Sequence, residues 1–210
     1  MTRARSPLHR AARLALALVA CATLIPLGAT SARAAVPETP NFGPIIEDYA
    51  AYKGQTRCKP KPKPGVVAFR RLVLNTYPRT RDFGISRQCS VGGRSEHKEG
   101  RAWDWGVDGT TRAGRRTASH LLGWLFATDR HDNRHANFRR LGLMYIVWRR
   151  RIWGSWERRW ETYCEPTPRG CKDTDSNAIL HPHLDHVHFS FSWPGARKNT
   201  SFWNPELSRA

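Results

Sequence analysis

The spacing of apolar residues along this chain changes period several times. Val66, Val67, Phe69, Leu72 and Val73 recur at helical spacing. They predict a helix near 65–76, ended by Pro78. Residues 83–94 mix short apolar positions with Gly and Ser, as a strand followed by a loop would. From 101 to 107 the chain alternates, with Ala102, Asp104 and Gly106 on one face and Trp103, Trp105 and Val107 on the other. Ala118, Leu121, Leu122, Leu125 and Phe126 form an apolar stripe, so 112–127 reads as a second helix. A shorter helix is expected near 133–140. The run Leu143 to Trp148 reads as a central strand, and the Arg/Trp mixture of 149–160 as another strand. Residues 165–180 read as an irregular loop. Alternation returns from Leu184 to Trp193 and predicts a last strand.

Helices mixed with strands, without regular βαβ alternation, imply an α+β fold: an antiparallel sheet flanked by helices. No internal repeat is present. The organisation expected is a signal peptide over 1–34, a Pro/Lys-rich leader and linker over 35–64, and one catalytic domain over 65–210.

The first segment reads as an export address. Arg3, Arg5, Arg10 and Arg13 precede a mostly apolar stretch from Leu14 to Leu27. Ala32-Arg33-Ala34 then supplies a small-x-small cleavage site. Leu18 to Cys21 also fits a lipobox, in which Cys21 would carry a lipid anchor. The apolar stretch runs on past Cys21, which favours ordinary cleavage. The mature protein is expected to be secreted or associated with the cell wall, monomeric and without a transmembrane segment. Lys59 to Pro64 alternates Lys and Pro and reads as a stiff, solvated connector.

Cysteine usage fits export. Beyond residue 34 there are four cysteines: Cys58, Cys89, Cys164 and Cys171. An even count in an exported chain favours disulfides over a four-cysteine zinc site, and no C-x-x-C pair is present. Cys164 and Cys171 flank a turn-rich stretch, and pairing them leaves Cys58 with Cys89.

Charge narrows the partners. The whole chain holds 35 Lys+Arg against 17 Asp+Glu, a net charge of +18. Without the five arginines of 1–34 it is still +13. Such a surface suits a polyanion: nucleic acid, anionic membrane or anionic wall polymer.

Two clusters carry the chemistry. One runs from Ser95 to Asp104 and contains His97. The other runs from His181 to His188 and holds His181, His183, Asp185, His186 and His188. On a strand, His186 and His188 share a face. If that strand lies beside the strand of Asp104, His97, Asp104 and one or both of these histidines converge. Two imidazoles and a carboxylate suit Zn²⁺ and leave a position open for water. A His-x-His pair alone is more often a surface pair or a satisfied polar cluster than a metal site.

The first cluster matches S-x-H-x-x-G-x-A-x-D through Ser95, His97, Gly100, Ala102 and Asp104. Together with the closing H-x-H of His186 and His188, it resembles the hedgehog/DD-peptidase superfamily, which includes zinc D-Ala-D-Ala carboxypeptidases. The resemblance spans roughly 83–191. It implies zinc ligands His97, Asp104 and His188. It also implies a catalytic base at Asp185 or His186, with His186 alternatively steadying an oxyanion. Ser95, Arg87, Arg94 and His183 are candidates for substrate contact, and His181 or His183 for orienting a ligand. The expected activity is a zinc metallopeptidase, a D,D-carboxypeptidase or endopeptidase acting on peptidoglycan stem peptides. A non-catalytic wall-binding domain that keeps its zinc is the alternative. A nuclease fits less well, because the site lacks the several carboxylates of a Mg²⁺ phosphodiester centre.

Overall fold

A computed structural model describes residues 35–163, 165–167, 170–172 and 183–209. The described residues fall in one compact unit, Ala34–Ala210. Residues 1–34, expected to be an export segment, lie outside the described residues, as do Cys164, His181 and any Cys164–Cys171 bridge. None of the described helices is long and apolar enough to cross a membrane.

The fold is α+β. Among the described residues the strands are β1 (Arg81–Gly84), β2 (Ala102–Gly106), β3 (Leu143–Trp148), β4 (Arg151–Gly154), β5 (Trp160–Thr162), β6 (Glu165–Thr167), β7 (Gly170–Lys172) and β8 (His186–Phe191). The α-helices among them are α1 (Pro64–Thr76), α2 (Arg112–Phe126), α3 (Ala136–Arg140) and α4 (Trp193–Ala196). Six strands form an antiparallel sheet in the order β1-β2-β8-β3-β4-β5, and β6 pairs with β7 separately. The last strand in sequence is therefore inserted between β2 and β3.

The predicted helices form where capping and periodicity agree. Pro64 occupies the first turn of α1, where its missing N–H costs nothing. The Thr111 hydroxyl accepts from the Gly114 N–H at 3.0 Å and starts α2. The short helix expected over 133–140 begins only at Ala136, after His135 adopts a left-handed backbone.

Three expectations need correction. Residues 149–160 make two strands and not one. Arg149 and Arg150 both have positive φ and turn β3 into β4, and a second turn after Gly154 leads into β5. Residues 165–172 contain the β6–β7 ladder in place of a wholly irregular loop. The last strand stops at Phe191, because the Ser192 hydroxyl caps α4 and Pro194 follows.

One face of the sheet carries the core. Phe69 of α1 packs its ring edge-on against Trp103, Phe189 and Phe191, with centroids 5.8, 5.1 and 5.5 Å away. Trp103 stacks on Phe189, its partner across β2–β8. Burying each such ring contributes roughly 1.5–3 kcal/mol. The indole N–H groups are not wasted: Trp103 donates to Asp82 and Trp105 to Thr80.

Residues 35–63 have no regular structure, yet they are fixed to the unit. Phe42 is buried, and the Lys59 and Lys63 N–H groups donate to the carbonyls of Lys98 and Gly100. Lys59 and Lys61 keep exposed side chains, as a connector would. The backbone, however, is pinned, and the Cys58–Cys89 disulfide adds a covalent tie.

Candidate metal centre

The opposite face of the sheet holds the polar cluster. In an antiparallel ladder, residues directly opposite each other share a face. Asp104 is opposite His188, and Gly106 opposite His186. The Asp between two Trp residues is thus explained by alternation: the indoles enter the core and the carboxylate faces the other way.

His97 arrives from outside the sheet. It sits on a 3₁₀ turn, Glu96–Glu99, that the sequence pattern did not predict. Ser95 caps this turn, its hydroxyl accepting from the His97 N–H. Gly100 closes it with φ of 66°. A side chain at Gly100 would also strike the Lys61 carbonyl at 2.0 Å, so this position requires glycine. His97 Nδ1 lies 2.8 Å from the Ile85 carbonyl, which fixes the ring proton there.

His97 Nε2 then faces Asp104 Oδ2 at 3.2 Å and His188 Nδ1 at 3.2 Å. His188 Nδ1 lies 2.8 Å from Asp104 Oδ1. These three residues form a group that could hold a metal ion. Burial keeps His188 below its ordinary pKa, hence neutral. Burial works against a charge on Asp104, but hydrogen bonds from His188 and His97 outweigh it and hold its carboxyl far below the usual range. With the proton of His97 committed to Ile85, the triangle has at most one imidazole proton for its three contacts. A cation satisfies all three at once. Tetrahedral ligands at about 2.0–2.1 Å from a metal stand roughly 3.3 Å apart, close to the spacing seen here.

His186 and Asp185 stand at the rim. Asp185 is exposed and does not enter the triangle; its Oδ1 lies 2.7 Å from His186 Nδ1. The other nitrogen, His186 Nε2, points toward Asp104 at 3.7 Å. Asp185 therefore orients His186 rather than facing the cluster. The His183 ring packs 4.6 Å from His186 and 5.9 Å from His188. Burial, with the neighbouring imidazoles, pushes its pKa down to about 2. Its Nδ1 is buried with no partner among the described residues.

The remaining candidates are dispersed. Arg87 is exposed, with its backbone N–H on the His97 carbonyl. Arg94 is exposed and donates through Nε and Nη2 to the Gln55 carbonyl.

Three neighbours of the cluster are not among the residues predicted for the site. Tyr145 stacks on His188, centroids 5.4 Å apart, and its hydroxyl donates to Glu96 at 2.5 Å. Burial and the Glu96 carboxylate drive the Tyr145 pKa well above its ordinary value. Arg101, fully buried, bonds Glu99 at 2.7 Å and the Phe191 carbonyl at 2.9 Å, locking the His97 turn to β8. Tyr145 could have been found from its place on the polar face of β3. Arg101 reads as one arginine among many.

The comparisons with known proteins assign a family. Residues 58–176 match the family described as VldE, C-terminal domain. That span is more than half of the chain. The chain belongs to the VldE C-terminal domain family. The matched span includes His97 and Asp104 and ends before His186 and His188. No curated protein and no solved structure matches the chain.

Proposed function

We propose that this protein is a secreted, zinc-dependent peptidase that hydrolyses amide bonds next to D-amino acids in peptidoglycan stem peptides. The observation that carries the reading is the convergence of His97 Nε2, Asp104 and His188 Nδ1 on one sheet face, with His186 Nε2 beside them. The Ser95–Asp104 and His186–His188 motifs that resemble the hedgehog/DD-peptidase superfamily support it, as do the basic surface and the export-like first segment.

His97, Asp104 and His188 are the residues that would hold zinc. When bound, zinc supplies Lewis acidity toward a scissile carbonyl and acidifies water. His186 is the base in this reading, rather than Asp185. Its Nε2 takes a proton as water oxygen bonds to the carbonyl carbon, then returns it to the amine as the C–N bond breaks. Asp185 holds the Nδ1 proton, which keeps Nε2 free to accept. Tyr145 and Glu96 brace the His188 ring.

The test is to measure metal content and incubate the full chain, loaded with zinc, with muropeptides. Released D-Ala or shortened stems are expected. One bound zinc with no product would overturn the peptidase reading and leave a wall-binding domain.

A further inference from the structure

Beside the metal centre lies a cleft of about 540 Å³, bordered by Tyr52, Arg94, Glu96, Tyr145 and Trp156. Its size falls within the roughly 300–1,000 Å³ of small-molecule sites. Three of its rings form a corner. Tyr52 and Trp156 have centroids 5.2 Å apart at 65°, and Tyr145 lies 6.2 and 6.1 Å from them. Tyr145 is buried against His188, but Tyr52 is 58% exposed and Trp156 42%.

Single exposed aromatics need no explanation. These two are adjacent and held on fixed backbone. The Ser155 hydroxyl donates to the Ala50 carbonyl, and the Ser155 N–H to the Met144 carbonyl at 2.9 Å. Arg101 donates to the Lys53 carbonyl. Gly154 lets the Trp156 ring fold back on β4, since a Cβ there would meet Trp156 Cε2 at 2.5 Å.

We infer that this corner is a sugar-binding subsite, with Trp156 and Tyr52 as the platform for a pyranose ring of an N-acetylated glycan strand. A pyranose has an apolar C–H face and a polar equatorial rim. Two ring faces at an angle fit the first, and the guanidinium of Arg94 fits the second. An ammonium ligand is disfavoured by Arg94 at the rim. The charge of Glu96 is also already met by the Tyr145 hydroxyl and by Arg101, 3.7 Å away. An apolar peptide side chain would make no use of the Arg94 N–H groups that the Gln55 carbonyl leaves available. The inference rests on the peptidase reading in one respect: it places the bound sugar so that an attached stem peptide extends toward His188.

The experiment is calorimetric titration of the N-acetylglucosamine tetramer into the full chain, and into Trp156→Ala and Tyr52→Ala. Both substitutions are at exposed side chains, and circular dichroism checks their folding. Saturable binding is expected, weakened by about tenfold or more in each variant and unchanged by a chelator. No saturable binding, or equal affinity in all three proteins, would overturn the inference. So would binding of choline or of an apolar tetrapeptide, in place of the glycan, that the same variants lose. Glycan binding without stem hydrolysis keeps the subsite and removes the peptidase. Hydrolysis of soluble stem peptides without glycan binding does the reverse.

Discussion

Asp104 and His188 face each other across the β2–β8 ladder, 84 residues apart in sequence and 2.8 Å apart in space. Neither strand alone makes the centre. The sheet must be paired in this register, because a one-residue slip would send His188 into the core.

Metal affinity therefore depends on each member of the triangle. Substituting His97, Asp104 or His188 by Ala is expected to lower zinc affinity by more than the roughly 10–100-fold typical of losing an outer partner. Zinc should raise the melting temperature of the native protein, since it binds only the folded state. It should do so far less in the variants. Metal analysis and thermal denaturation with and without zinc check this.

Asp185 and His186 are expected to separate in their effects. His186→Ala should keep zinc and lose the roughly 10²–10⁴-fold that a general base supplies. Asp185→Asn should keep zinc and lose less, because it removes the group that orients the base. Equal losses in kcat from both, or full activity in His186→Ala, would remove His186 from the base role.

Tyr145→Phe deletes the donor to a buried carboxylate. Leaving Glu96 partly unsatisfied should cost about 1–3 kcal/mol in chemical denaturation. Zinc content should persist, because the stacked ring remains over His188.

Asp129 gives the acid response away from the centre. Burial opposes its charge, but hydrogen bonds from Asn133, Arg140 and His131 win and depress its pKa. A depressed carboxyl contributes stability that is complete above its unfolded pKa of about 3.9 and is lost as pH falls through the folded value. Asp129→Asn should thus be less stable than the native chain at pH 7. The gap should close on acidification below pH ~4. Denaturation midpoints across that range measure it.

What could be read from sequence was whatever is local or periodic. Alternation placed Asp104 on the face opposite Trp103 and Trp105, and the His-x-His spacing put His186 and His188 together. The Cys58–Cys89 bridge was the pairing favoured among the three that four cysteines allow, because Cys164 and Cys171 lie close together around a turn. The β3–β4 turn escaped notice because Arg149-Arg150 occupies two left-handed positions where Asn-Gly is the usual signal. The bracing of His188 by Tyr145 and Glu96 escaped for another reason. It joins positions 49 residues apart, and nothing local in either marks the pair. Asp185 was expected as a base through the resemblance, whereas its side chain turns toward its neighbour His186.

The pinned leader sets a lower bound on how far the chain can be shortened. Removing everything before Pro64 would strip Glu99 of the Thr56 and Arg57 donors, Arg101 of the Lys53 carbonyl, and Cys89 of Cys58. The first loss falls on the turn that presents His97, and the other two fall on its supports: Arg101 bonds Glu99, and the Cys89 carbonyl accepts from Lys98. A fragment starting at α1 would keep most of the apolar core and the six-stranded sheet. It would lose the brace that holds one ligand in place. The part of the chain that looks most like packaging is thus a structural component of the centre.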